Sequence, residues 1–208
     1  MGSNIQLITV ILSFVAVIIS ITVHEFAHGS VANYLGDATA KNAGRLTLNP
    51  IAHIDPFGTV LLPILLALIG LPAFGYAKPV PINPNNFKNW RWGEALTSIA
   101  GPFANLLMIV VFTLVYKYLP QKESIFAIFT LQLITINIVL MVFNLIPIPP
   151  LDGSKVMYSI LPDSFPIAKF EMYGPFVLIP IIFIFGSYIF VPIISVMLNL
   201  LGIHVNLF

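Results

Sequence analysis

Cysteine is absent from all 208 positions. Disulfides and thiolate metal ligands are thereby excluded, and any metal must be held by histidine, carboxylate or neutral oxygen. Charge is also scarce, since Asp, Glu, Lys and Arg together make up 8% of the chain. A soluble domain carries about 25%, so this chain cannot wet a water-facing surface. The net charge of +1, with no basic patch, gives nucleic acid nothing to bind. The apolar share is 58% and the mean hydropathy +0.98. These values describe an integral, multi-pass membrane protein in contact with the lipid bilayer. No basic segment precedes the first apolar run, and that run continues through Ile18 to Ile21 into a polar cluster. It is therefore expected to be a retained helix rather than a cleaved signal.

Five apolar stretches stand out: Ile5 to Leu35, Phe57 to Leu71, Gly93 to Leu119, Ile125 to Ile146 and Pro175 to Leu201. About 20 residues are needed to cross a hydrocarbon layer of roughly 30 Å. The second stretch is short enough to be tilted, re-entrant or only partly inserted. Between the stretches, Arg45 to Asn49 alternates polar and apolar residues, and Ala77 to Phe87 carries closely spaced prolines. The first reads as a short strand at the membrane edge and the second as an extended edge strand or loop. The segment Asn144 to Asp152, NLIPIPPLD, cannot be regular helix, because Pro147, Pro149 and Pro150 remove donors and push their predecessors out of the helical region. The expected fold is an all-α polytopic membrane protein. It has about five apolar helical segments, short membrane-edge β-strands and a proline-broken segment. Residues 1–208 form one domain without repeats.

The chemistry concentrates in HEFAHG, from His24 to Gly29. Residues four apart lie on one face of a helix, so His24 and His28 can reach the same ion while Glu25 projects beside them. This is the H-E-x-x-H arrangement of zinc hydrolases, in which the glutamate is the general base. Chance produces such spacing in about one ordinary chain in several hundred. Within a membrane, an unpaired Glu or His also costs roughly 2–3 kcal/mol. A hydrogen-bonded polar plug between helices is the structural alternative. A catalytic zinc takes three protein ligands and keeps one position open. The third must come from His53, Asp55, Glu94, Asp152, Asp163, Glu171 or His204. Asp152 fits best, because irregular backbone at membrane depth lines cavities; taken alone, though, Asp152-Gly153 reads first as a plain turn at a helix end.

His24-Glu25-Phe26-Ala27-His28, followed by Asn144-Leu-Ile-Pro-Ile-Pro-Pro-Leu-Asp152-Gly153, resembles the site-2 protease family of intramembrane metalloproteases. HIDPFG from His53 and Gly101-Pro102-Phe103-Ala104-Asn105 look like its compact prokaryotic members, without a PDZ or CBS domain. The resemblance implies one Zn2+ per chain, held by His24, His28 and Asp152. Glu25 would be the catalytic base and Asn144 would orient or polarise the substrate. It further implies an endopeptidase cutting transmembrane protein substrates, in a prokaryotic cell membrane. Ser154 stands where the family often has a second glycine. His53 is open between donating to a substrate carbonyl, orienting a ligand and tying down the membrane edge. Gly101 and Asn105 are expected to let helices pack closely, with a polar contact from Asn105 to the site as the alternative; Asn137 is expected to make an interhelical hydrogen bond, and Trp90 and Trp92 to anchor the interface.

Two other classes of function share these residues. A zinc transporter would show inverted repeats with paired broken helices, whereas one clear break is present. A non-catalytic scaffold that binds helices would tolerate loss of Glu25. One geometric tension remains. His24 lies about 30 Å along its helix from Ile5, and five full crossings would bring Asp152 out on the side where that helix begins. Either the second stretch does not cross, or the proline segment folds back, or the first helix starts well outside the membrane.

Overall fold

The computed structural model describes residues 2–68, 75–121 and 123–204. The first helix, α1 (Gly2–Tyr34), is 33 residues long and ends where Gly36 takes φ 108°. That left-handed backbone is cheap only for glycine. It lets the Asp37 N–H reach back to the Ala32 carbonyl at 2.9 Å, closing the helix end. A short α2 (Thr39–Asn42) follows, then a 3₁₀ turn, Pro50–His53. A π-helical turn, Pro56–Leu61, runs into α3 (Leu62–Leu68). Asp55 starts that turn by accepting the Phe57 and Gly58 N–H groups at 3.0 and 2.7 Å, which gives HIDPFG a local role as a cap.

Three longer helices and one short one complete the scaffold. Asn89 caps α4 (Trp90–Tyr118) and Ser124 caps α5 (Ile125–Asn144). The α6 helix (Asp152–Ile160) begins on the aspartate itself, and α7 (Ile167–Leu200) contains Pro175, Pro180 and Pro192. At the centre, α4 packs on α1, α5 and α6, and α1 also touches α5. Ile109, Ile134, Ile138, Leu198 and Ile203 form the apolar core between α4, α5 and the end of α7. Outward, Val10, Phe103 and Val111 are more than half exposed, as suits side chains facing lipid.

The all-helical expectation holds, and each of the five apolar stretches contains a helix, α1, α3, α4, α5 or α7. Among the described residues three helices are long and apolar enough to span: Gln6–Tyr34, Trp90–Tyr118 and Ile125–Asn144. The fifth apolar stretch lies within α7, which is 34 residues long. From the stretch read as Phe57 to Leu71, residues 62–68 form α3 and residues 69–71 lie outside the described part. Asp152 Oδ2 lies 3.2 Å from His24 Nε2, so the fold does bring the two to one level.

No strand occurs among the described residues. The alternation at 45–49 comes instead from side chains bonding nearby backbone, which competes with a ladder. Thr47 Oγ1 accepts the Asn49 N–H at 3.1 Å, and Asn49 Oδ1 accepts the Ile51 N–H at 3.1 Å. Arg45 meanwhile turns inward to donate to the Lys78 carbonyl at 2.7 Å. Residues 75–83 form neither helix nor strand, and Pro79 and Pro81 have no N–H to give a neighbouring strand.

Candidate metal centre

His24 and His28 stand one turn apart on α1 with their rings edge to face, centroids 4.6 Å apart and 86° between planes. Their environment is built by one face of α4. The His28 Nδ1 lies 2.7 Å from the Thr97 backbone carbonyl and the His24 Nδ1 lies 2.6 Å from Asn105 Oδ1. Between those two residues sits Gly101, where an added Cβ would come within 2.5 Å of His24 Cε1 and His28 Nε2. Thr97, Gly101 and Asn105 repeat every four residues, as the two histidines do, so two antiparallel helices meet in register.

A backbone carbonyl only accepts hydrogen bonds. The His28 Nδ1 must therefore carry the proton, and its Nε2 presents a lone pair. That Nε2 lies 3.0 Å from the His24 Nε2. Asp152 Oδ2 is 3.2 Å from the one and 3.3 Å from the other. The same oxygen is buried and has no hydrogen-bond partner. A buried carboxylate oxygen without a donor is costly, and here it faces imidazole nitrogens across a gap with no donor in it. A cation answers that arrangement. Four-coordinate zinc with bonds of about 2.0–2.1 Å spaces its ligands about 3.3–3.4 Å apart. Two imidazoles and one carboxylate at the observed separations fit it.

The proline-broken segment delivers Asp152 through a series of tight turns. The Ile146 N–H bonds the Phe143 carbonyl at 3.1 Å, and the Leu151 N–H bonds the Ile148 carbonyl at 3.0 Å. Gly153 is required for a close approach, since a Cβ there would lie 2.3 Å from the Leu145 carbonyl oxygen. The Asp-Gly pair thus begins a helix docked on the end of α5, rather than ending one. Ser154, in place of a second glycine, is fully buried and turns its hydroxyl to the Leu151 carbonyl at 2.7 Å.

The other candidates divide. Glu25 is beside the cluster on α1, and its Oε2 accepts the Val80 N–H at 2.8 Å. Three N–H groups of the segment at 75–83 are used in this way: Tyr76 by the Gly58 carbonyl, Lys78 by that of His53 and Val80 by Glu25. Asn144 donates to the Leu140 carbonyl at 2.9 Å and makes no recorded contact with the three converging atoms. The His53 ring is buried and meets the Thr47 carbonyl at 2.8 Å, away from the cluster. Asp163 pairs with Arg91 at 2.6 Å and Glu171 with Lys155, while His204 lies near Asn199. None of these three joins the centre. Asn105 takes the less favoured of its two expected roles, a polar contact to the site rather than packing alone; the fourfold spacing of Thr97, Gly101 and Asn105 was the available signal. Val80 lies in the proline-rich stretch expected to be extended, but nothing in the sequence marked its bond to Glu25. Asn137 makes the expected interhelical bonds, to Asn105 on α4 and Ser20 on α1.

Comparison with known proteins gives the family. Residues 119–185 match peptidase family M50. Over 194 residues the chain is 41% identical to "Putative zinc metalloprotease YwhC" of Bacillus subtilis (strain 168), covering 87% of this chain and 84% of that protein. It is 30% identical over 137 residues to "Putative zinc metalloprotease Rip2" of Mycolicibacterium smegmatis, covering 65% of this chain and 52% of that one. The protein of the same name in Mycobacterium tuberculosis (strain ATCC 25618 / H37Rv) is 32% identical over 142 residues, with 65% and 52% covered. No solved structure matches.

Proposed function

The chain belongs to peptidase family M50, the site-2 protease family of membrane metalloproteases, with zinc as cofactor; from that premise we propose a zinc-dependent intramembrane endopeptidase that cuts within or near the transmembrane segments of other proteins. His24, His28 and Asp152 would hold the ion and leave a fourth position open, as catalytic zinc sites do. The observation that carries this reading is the buried, unpartnered Asp152 Oδ2 at 3.2 and 3.3 Å from the two imidazole nitrogens. Bound zinc supplies Lewis acidity, which acidifies water and polarises a peptide carbonyl.

The chain's own residues do the remaining work. Glu25 takes the proton from the attacking water and returns it to the amine as the scissile C–N bond breaks. One of its oxygens is held by the Val80 N–H at 2.8 Å, so the other oxygen, Oε1, is assigned the proton. Asn144 spends one amide hydrogen on the Leu140 carbonyl, and the second is assigned to the substrate carbonyl. His53 is assigned to the loop, because its contact is with Thr47. A substrate helix must unwind before attack, since its carbonyls are bonded and shielded. The segment at 75–83 is the candidate for holding the unwound peptide by strand addition, with the donors coming mainly from the substrate because Pro79 and Pro81 offer none. We place this single domain in a prokaryotic cell membrane as a multi-pass protein.

Glu25→Gln tests the assignment. The variant should bind zinc at wild-type stoichiometry and lose cleavage of a reconstituted single-span substrate by about 100-fold or more. Wild-type cleavage by Glu25→Gln would overturn the proposed base. A transporter would keep its flux in this variant, and a scaffold its partner.

A further inference from the structure

Behind His24 lies a line of buried polar side chains that begins on a group of unambiguous character. The Asn137 amide nitrogen is 2.7 Å from the Leu133 backbone carbonyl and 2.8 Å from Ser20 Oγ. A carbonyl cannot donate. If the Asn137 amide were flipped, its oxygen would oppose the Leu133 oxygen at that distance. The NH₂ must therefore face Leu133, and the Asn137 Oδ1 must face Asn105. By the same logic Asn105 Nδ2 donates to Asn137 Oδ1 at 2.7 Å, because the opposite orientation would set two oxygens against each other. Asn105 Oδ1 then points at His24 Nδ1, 2.6 Å away, and that nitrogen must be the protonated one. Ser20, Asn105 and Asn137 all have no exposed surface, so bulk water is not available to scramble the orientation.

We propose that Asn137 is a positioning residue for the metal centre: it transmits the polarity of the Leu133 carbonyl through Asn105 and so fixes His24 in the tautomer whose Nε2 lone pair faces Asp152 and His28. The two imidazoles are oriented by different means. His28 is set directly by backbone, the Thr97 carbonyl at 2.7 Å. His24 has only a side-chain amide beside it, and such an amide is free to turn unless something beyond it chooses. With Asn137 removed, Asn105 can rotate its NH₂ toward His24, which places the ring proton on Nε2 and blocks coordination there. The inference rests on His24 being a zinc ligand.

The test measures zinc affinity by chelator competition on the full chain in detergent, with size-exclusion profiles to establish folding. Asn137→Leu deletes the oxygen that orients Asn105 and should weaken zinc binding by about 10–100-fold, the usual range for residues that orient a ligand. Asn137→Ala serves the same purpose if leucine is not accommodated. Asn137→Asp is the discriminating variant. Buried and protonated, it keeps an oxygen for Asn105 Nδ2 and an O–H for the Leu133 carbonyl, so its zinc affinity should stay within a few-fold of wild type even if its thermal stability falls. A purely structural role predicts that affinity follows stability, whatever atom remains. Wild-type zinc affinity in folded Asn137→Leu, or equal losses in the leucine and aspartate variants, would overturn the proposal. His24→Ala is measured alongside. If it binds zinc as tightly as wild type, the ligand assignment itself fails, and that outcome is distinct from failure of the relay.

Discussion

The two imidazoles are accommodated because position 101 has no side chain. An alanine Cβ would sit 2.5 Å from His24 Cε1 and His28 Nε2, closer than any real contact, while alanine itself favours the helix. Gly101→Ala should therefore leave α4 helical and lower zinc affinity at least about tenfold, measured by chelator competition beside circular dichroism. Undiminished affinity in a folded Gly101→Ala would mean that the rings do not need their present positions. At this scale the sequence was informative where chemistry and helical period coincide. His24, Glu25 and His28 declare themselves because two ligands and a base at that spacing have few other uses inside a membrane. Asp152 did not, as an Asp-Gly pair is common, and it became legible only through the motif around it. Asn105 and Asn137 were harder still. An asparagine in an apolar helix looks the same whether it bonds another helix or an imidazole.

Connections between elements depend on single polar residues, and Asp37 is the clearest case. It is fully buried just beyond α1. It accepts the Thr39 N–H at 3.1 Å and the Thr39 hydroxyl. From the far side of the second stretch it accepts the Asn83 N–H at 2.8 Å and the Asn86 amide at 2.7 Å. This ties the end of the histidine-bearing helix to the loop that leads into α4. Burial alone would raise the carboxyl's pKa; the bonds from Thr39, Asn83 and Asn86 outweigh it and hold the group below the usual carboxylate range. A carboxylate depressed in the folded state contributes stability above its unfolded pKa and loses it as pH falls through the folded value. Thermal melts in detergent should therefore drop as pH falls below about 4. Asp37→Asn should flatten that dependence, and Asp37→Ala should cost about 3 kcal/mol at neutral pH. An unchanged acid profile in Asp37→Asn would assign the sensitivity elsewhere. The expected edge strands failed at this scale for a related reason. Alternation in a polar, proline-rich connection records side-chain-to-backbone bonds as readily as a ladder, and period alone cannot separate them.

For the whole molecule, composition announced the membrane and the apolar runs located α1, α4 and α5. Run length did not say which segments cross, because that depends on what each segment must reach. The requirement that Asp152 meet His24 left three ways out: a second stretch that does not cross, a proline segment that folds back, or a first helix that starts outside the membrane. The two side chains do meet, with Asp152 Oδ2 3.2 Å from His24 Nε2. On the proposed assignment the ion would help to hold the assembly together, since its donors would come from α1 and α6, braced by α4. Zinc should stabilise the fold by about 4 kcal/mol when present at 1,000 times its dissociation constant. Chelation should accordingly lower the melting temperature of wild type but not of Asp152→Ala. Equal chelator effects on both would place the stabilising metal somewhere other than at Asp152.

The most direct measurement of the central claim is anomalous diffraction at the zinc edge from crystals of the zinc-loaded protein. The account predicts one peak per chain, about 2.0–2.2 Å from the His24 Nε2, the His28 Nε2 and an Asp152 carboxylate oxygen. A fully loaded protein whose zinc peak lies outside bonding range of any of the three would contradict it.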